Sequence, residues 1–72
     1  MKNYIRLVNL IGDTPTFESI CVAVLKNRGE DYTTGEAMND LWWVWCETYP
    51  DRGEKLSDFS EEHLLKIIEF IE

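Results

Sequence analysis

Apolar residues recur at the spacing of an α-helix in four stretches of the chain. The clearest stretch is at the C-terminal end, where the spacing i, i+3, i+4, i+7 of one helix face is matched by Leu64, Ile67, Ile68 and Ile71. Ser60 directly precedes this stretch, and its hydroxyl can accept a hydrogen bond from the first turn. Glu61 and Glu62 then place negative charge at the positive end of the helix dipole. These features predict a helix over residues 60–71.

A second helix is predicted over residues 34–49, in the part of the chain that carries all three tryptophans. Thr33 and Glu36 form the S/T-x-x-E pattern of a capping box, in which each side chain accepts a hydrogen bond from the backbone N–H of the other residue. Pro50 ends the helix in this interpretation, because proline lacks an N–H group and restricts the residue before it.

A third helix is predicted over residues 15–28. Thr14 would cap it, and Pro15 would take the first helical position, where the fixed φ of proline fits and its missing N–H costs nothing. The helical spacing is followed by Phe17, Ile20, Cys21, Val24 and Leu25. Gly29 would end the helix in the left-handed conformation. The unbroken apolar run over residues 20–25 is also compatible with a strand, and the helix is the favoured interpretation.

Residues 2–11 allow two interpretations. Gly12 would end a helix whose apolar face is formed by Tyr4, Leu7, Val8 and Ile11. Alternation of the side chains over residues 5–11 would instead make a strand. The helix is again favoured.

Residues 1–72 are therefore expected to form one small all-α domain, a compact bundle of three or four short helices joined by short loops. The connection over residues 50–59 is rich in the turn residues Pro, Asp and Gly, and Leu56 is expected to attach it to the core. A hydrophobic share of 44% argues against a disordered chain.

No sequence feature directs the chain to a membrane or out of the cell. No apolar run approaches the roughly 20 residues that span a bilayer, and the N-terminus lacks the cleavage site of a signal peptide. Cys21 and Cys46 both lie in apolar patterns, which favours buried thiols in a reducing cytoplasm. A single disulfide between them is the alternative.

The net charge of −7 is unevenly distributed along the chain. Residues 1–28 hold four basic and two acidic side chains, a net charge of +2, whereas residues 29–72 hold three basic and twelve acidic side chains, a net charge of −9. An acidic surface repels the phosphates of nucleic acid and accelerates encounters with basic proteins. The simpler alternative is that the charge serves only solubility.

The sequence contains no pattern of residues that indicates catalysis or metal binding. His63 is the only histidine, and after two glutamates at the start of a helix it is interpreted as a solvated surface residue. A zinc site needs about four closely spaced Cys or His ligands. The chain also lacks the spacing of a calcium loop or of a phosphate-binding glycine loop. We therefore expect no enzyme activity, no cofactor and no metal.

The helical angle separates the three tryptophans of the second predicted helix. At about 100° per residue, Trp42 and Trp45 fall on the same side as Met38 and are expected to anchor the core. Trp43 falls on the opposite side, and its neighbours there, which complete a candidate partner-binding site, are Glu36, Asn39, Asp40 and Glu47. Exposed tryptophan is enriched among interface hot spots. The alternative is that the N-terminus or the 50–59 connection covers Trp43.

These observations favour a small acidic module that binds a basic protein, such as a protein that handles nucleic acid, and inhibits or regulates it. Anti-restriction and anti-CRISPR proteins of phages and mobile elements offer an analogy in size and charge. One alternative is a self-associating module with a dimer seam through Leu65 and Phe70 on the last helix. Another is a small DNA-binding regulator, which is disfavoured because the predicted helices 34–49 and 60–71 present almost no basic side chains.

Overall fold

Four α-helices account for most of the residues that the computed structural model describes, which are 2–29, 31–49 and 55–72. The helices are α1 (Lys2–Ile11), α2 (Phe17–Arg28), α3 (Thr34–Trp42) and α4 (Glu61–Ile71). A π-helical turn, Trp43–Glu47, continues α3, and a 3₁₀ turn, Leu56–Asp58, precedes α4. No strand occurs within the described ranges. The prediction of an all-α bundle is confirmed, and residues 2–11 and 20–25 are helical.

Two helix starts form as the sequence predicts. At α3, Glu36 N–H donates to Thr33 Oγ1 at 3.2 Å, and Thr33 N–H donates to Glu36 Oε1 at 3.3 Å, which completes the capping box. At α4, the backbone N–H of His63 donates to Ser60 Oγ at 3.1 Å. Both caps satisfy N–H groups that have no partner inside the helix.

The start of α2 differs from the prediction. Thr16 is the N-cap instead of Thr14, and Pro15 lies before the helix as a buried residue. Ser19 N–H donates to Thr16 Oγ1 at 3.0 Å, and Thr16 N–H donates to Ser19 Oγ at 2.7 Å. A cap at Thr14 would need the same reciprocal bond from Phe17, whose side chain has no acceptor. The polar side chain at position 19 therefore moves the start by two residues.

Glycine ends α1 and α2 because both ends require positive φ. Gly12 has φ 78° and donates its N–H to Val8 O at 2.8 Å. Gly29 has φ 83° and donates to Leu25 O at 3.2 Å. The ψ of Gly29 is −163°, outside the left-handed well that was predicted and in a region open almost only to glycine. The predicted stop of the tryptophan helix, Pro50, lies outside the described residues.

Helix α4 forms the centre of the bundle, since it packs against α1, α2 and the π turn. Most of its apolar face is buried, together with residues from the other elements. The buried apolar residues are Leu7, Ile20, Cys21, Val24, Ala37, Leu41, Leu56, Phe59, Leu64, Ile67, Ile68 and Ile71. Leu56 attaches the chain before α4 to this core, as predicted.

Polar contacts fix both ends of α4. At its N-terminus, the backbone N–H of Asn3 donates to Glu61 Oε2 at 2.9 Å, and Asn3 Nδ2 donates to Glu61 O at 2.8 Å. At its C-terminus, Asn27 Nδ2 donates to Ile71 O at 3.0 Å. The last carbonyl groups of a helix have no partner within it, so the amide from α2 replaces a water molecule there. The two asparagines thereby fix the position of α4, along its own axis, relative to α1 and α2.

We expect Asn3→Ala to lower the free energy of unfolding by about 1–3 kcal/mol relative to Asn9→Ala, because Asn3 is buried and its loss removes the side-chain bond to Glu61 O. Asn9 is exposed on the same helix, so the helix propensities of the two variants cancel in the comparison. Urea unfolding followed by far-UV circular dichroism measures the difference. Equal stability of the two variants would show that the contact between α1 and α4 does not depend on Asn3.

Candidate functional site

The burial of the three tryptophan side chains differs from the prediction. Trp43 is 55% exposed, as the helical angle indicates, but Trp42 is 50% exposed and does not lie in the core. Trp45 is half-buried and packs edge-to-face against Phe17 and Phe59, at ring-centroid distances of 5.3 and 5.0 Å. The expectation of a core anchor is therefore confirmed for Trp45 and wrong for Trp42.

The buried face of α3 is centred on Ala37 and Leu41, both fully buried, and not on Met38. Trp42 follows Leu41 by one residue and is therefore turned about 100° away from it. Trp45 follows Leu41 by four residues and stays within about 40° of it. The predicted face was rotated toward Met38, which placed Trp42 inside.

The π turn reduces the angle between Trp45 and the core further. Thr48 N–H donates to Trp43 O at 2.7 Å, the i to i+5 bond of a π turn, where an α-helix would have it donate to Val44 O. A wider turn advances less than 100° per residue. The residues after Trp43 are therefore turned back toward the side of Leu41, while Trp42 and Trp43 stay outside.

His63 is fully buried, which contradicts its interpretation as a surface residue. Its Nε2 lies 2.7 Å from Val44 O, and because a carbonyl oxygen only accepts, Nε2 carries a proton and donates. The imidazole stacks on Phe59 at 4.1 Å with an interplanar angle of 1°, and on Tyr49 at 4.8 Å and 19°. In an α-helix, Val44 O would accept a hydrogen bond from the Thr48 N–H. In this π turn it accepts from His63 on α4 instead.

A continuous series of ring contacts supports the segment that carries the exposed tryptophans. In order of contact the rings are Phe17, Trp45, Phe59, His63 and Tyr49. The series joins α2, the π turn and α4, and each ring pair adds about 0.5–1.5 kcal/mol beyond its buried area. The C-terminal end of α3 is therefore fixed relative to α2 and α4.

The candidate site is the tryptophan patch, defined as Met38, Trp42 and Trp43. Met38 is 49% exposed and lies one turn before Trp42 on the same side of α3. No Lys or Arg occurs anywhere from Gly29 to Tyr49. The surface thus combines large apolar side chains with a local charge that is only negative.

Two of the polar residues predicted around Trp43 are engaged within the chain. The Glu36 carboxylate belongs to the capping box, and Asp40 Oδ2 accepts from Tyr32 Oη at 2.6 Å. Asn39, one turn before Trp43, and Glu47, at the end of the π turn, are exposed. All four lie on α3 or its continuation. Glu36 is exposed as well, whereas Asp40 is half-buried.

The bond between Tyr32 and Asp40 fixes one edge of the site. Burial, the hydrogen bond to Asp40 and the negative charge of that carboxylate raise the pKa of Tyr32 to about 12. The phenol therefore keeps its proton and donates to Asp40 through the whole neutral range. The same bond holds Asp40 Oδ2 in place on α3.

A second surface feature is a groove of about 560 Å³ between the end of α1 and α2. Leu10 and Val22 contribute exposed apolar side chains to it. Asp13, Glu18 and Lys26 line the same groove with charges of both signs. The groove therefore does not select a partner by charge, in contrast to the tryptophan patch.

The remaining chemistry of the described residues is limited. Cys21 is buried, burial raises the pKa of its thiol, and no disulfide joins it to the half-buried Cys46. In the described ranges, no three His, Cys, Asp or Glu side chains form a group that could hold a metal ion. None of the helices in these ranges has the length and hydropathy to cross a bilayer.

Substitution of the tryptophans should separate the core from the surface. We expect Trp45→Ala to lower the free energy of unfolding by about 3–5 kcal/mol, because it removes two ring contacts and leaves a cavity. Trp42→Ala and Trp43→Ala should each change it by less than about 1 kcal/mol. Urea unfolding followed by far-UV circular dichroism gives all three values without a tryptophan signal. A loss at Trp42 as large as that at Trp45 would place Trp42 in the core.

Tyr32→Phe should remove a pH-dependent contribution to stability. The folded-state pKa of about 12 lies above the ordinary value of 10.0, so the bond to Asp40 stabilises the fold fully below pH 10 and is lost as the pH rises through about 12. We therefore expect the stability difference between wild type and Tyr32→Phe to be constant below pH 10 and to shrink above it. Lysine titration affects both chains alike and cancels. A difference that does not vary with pH would show that the phenol bond contributes nothing.

Comparison of the chain with known proteins gives no match to a protein family, a curated protein or a solved structure.

Proposed function

We propose that the chain is a protein-interaction module that uses the tryptophan patch to dock on a basic surface of another protein. The observation that carries the proposal is the exposure of Trp42 and Trp43, each at least half accessible on adjacent sides of a supported helix end, with the exposed Met38 on the side of Trp42. A domain of this size needs its large apolar side chains for its own core. Two adjacent indoles held in water are therefore best explained by a contact that covers them.

The size of the patch supports docking over chance exposure. Among the described residues, the other large exposed apolar side chains are smaller and lie on α1 and α2: Ile5, Leu10 and Val22. Tryptophan leads the residue types that dominate interface energies, since it buries much area with few rotatable bonds. The ring series fixes the helix end that carries Trp42 and Trp43 before binding, which reduces the cost of ordering the backbone there.

Charge selects the class of partner. Residues 29–72 carry a net charge of −9, and this half includes the whole patch. Such a field accelerates the encounter with a basic surface and repels nucleic acid. Large basic surfaces belong mainly to proteins that bind DNA or RNA. The proposed action is to occlude such a surface in the cytoplasm, as an inhibitor or regulator of the kind that phages and mobile elements encode, including anti-restriction and anti-CRISPR proteins.

A catalytic role is not part of the proposal. His63 directs Nε2 at Val44 O, lies between two rings and is fully buried. Its imidazole therefore serves the fold. A base or nucleophile must instead reach a bound substrate.

Direct DNA binding has less support than docking on a protein. Of the basic residues in the N-terminal third, Arg6 donates to Asn3 Oδ1 at 3.0 Å, and Arg28 donates to Phe70 O at 2.6 Å. Both side chains are exposed, and one hydrogen bond uses only one of the five N–H donors of a guanidinium. DNA binding is instead disfavoured by the net charge of −9 over residues 29–72, which repels phosphate.

Self-association through α4 has less support than docking through α3. Leu65 is half-buried, and Phe70 lies beneath the guanidinium of Arg28 at 4.7 Å. The apolar seam that the sequence predicts is thus partly covered by α2. Sedimentation of the wild-type chain at micromolar concentration tests this alternative, and a dimer that persists in Trp42→Ala/Trp43→Ala would favour it.

The docking proposal predicts a loss of affinity in the double variant Trp42→Ala/Trp43→Ala. Parallel capture from a host lysate with wild type and variant identifies candidates, and each captured basic protein is then purified and titrated by calorimetry. We expect the variant to bind at least about 30-fold more weakly, the effect of one hot-spot side chain.

The matched control is Ile5→Ala, which removes a 60% exposed apolar side chain from a different helix. It should leave the affinity unchanged. Equal affinities of all three chains for every purified candidate would overturn the proposal.

A further inference from the structure

We infer that the tryptophan patch recognises arginine side chains of its partner through cation–π contacts. This inference rests on the proposed docking function and names the chemistry of the same site. It goes further than a general preference for basic proteins, because it distinguishes arginine from lysine at equal charge.

The first support is the kind of ring on the surface. Trp42 and Trp43 are successive residues and each exposes half or more of its area. Tryptophan is the aromatic side chain that attracts a cation most strongly, because its large π system has a negative face. The two residues differ by about 100° in direction around the helix, so their indoles offer a partner two separate faces.

The second support is the charge around the rings. No Lys or Arg lies between Gly29 and Tyr49, so no cation from this part of the chain competes for the indoles. Glu47 is exposed at the end of the π turn, and Asp40 lies on α3 two residues before Trp42. A cation that stacks on the rings therefore also gains from nearby carboxylates. Exposed indoles can also stack nucleobases, but the same carboxylates repel the phosphates that accompany a base.

The third support is an arginine that the chain already binds in this way. The guanidinium carbon of Arg28 lies 4.9 Å from the centroid of the Tyr32 ring and 4.7 Å from that of Phe70, both within the range of a cation–π contact. The same group donates to Phe70 O. The end of α2 thus shows a guanidinium held by two aromatic rings. Within the described ranges, no arginine lies over the rings of Trp42 and Trp43.

Arginine is preferred over lysine on physical grounds. A guanidinium is planar and weakly hydrated, so it can lie flat on an indole without losing a strongly bound water shell. An ammonium group is compact and holds its water more tightly. The carboxylates near the patch attract both groups, and a variant that keeps them but lacks the indoles isolates the contribution of the rings.

The test uses two peptides of equal length and charge, one with arginine and one with lysine at every basic position. Calorimetry at low ionic strength measures the affinity of each peptide for wild type and for Trp42→Leu/Trp43→Leu, which keeps apolar area but removes the rings. We expect wild type to bind the arginine peptide at least about fivefold more tightly than the lysine peptide, the effect of one to two exposed cation–π contacts. The double leucine variant should bind both peptides equally, and Ile5→Leu should retain the preference.

Equal affinity of wild type for the two peptides would overturn the inference, since charge alone would then account for binding. Binding of a single-stranded oligonucleotide in place of either peptide would also overturn it and would identify the patch as a stacking surface for bases. If neither peptide binds while a purified basic protein binds in a manner that depends on Trp42 and Trp43, the inference fails and the proposed docking function stands. If no basic protein binds either, both fail.

Discussion

The hydrogen bond from His63 Nε2 to Val44 O is the constraint on which the remainder of the structure depends. It joins the first turn of α4 to the π turn at a partly buried position, where an unsatisfied carbonyl group would cost about 1–3 kcal/mol. The imidazole also stacks on Phe59 and on Tyr49, so one side chain provides both the polar and the aromatic contact. Because Val44 belongs to the π turn, this bond connects α4 to the segment that carries Trp45.

The helices of this chain could be predicted because their ends are encoded locally. Thr33 and Ser60 cap helices through bonds that span three residues, and Gly12 supplies a φ that other residues avoid. The two-residue difference at α2 has the same local origin, since Ser19 completes a box that only Glu or Gln was expected to complete. Signals of this kind need no knowledge of the tertiary structure.

The site could be predicted only in part, because it depends on tertiary contacts. The exposure of Trp43 follows from the helical angle, but that of Trp42 depends on which side of α3 meets α2, and the apolar pattern around Met38 is too wide to decide this. His63 follows two glutamates, and no neighbouring residue in the sequence indicates that its side chain donates to a carbonyl group of the π turn. The π turn itself has no sequence pattern in the residues that form it, so neither its position nor its effect could be anticipated.

The π turn also indicates how a surface with exposed tryptophans can arise by insertion of a residue. Inserting one residue into an α-helix rotates everything beyond it by about 100°, which would expose the buried side of the remaining segment. A turn that absorbs the additional residue confines the disturbance to its own positions, here Trp43–Glu47. In this chain the turn begins with one exposed indole, Trp43, and directly follows the other, Trp42. A single insertion can thus alter the outward chemistry of a small domain while its interior is inherited unchanged.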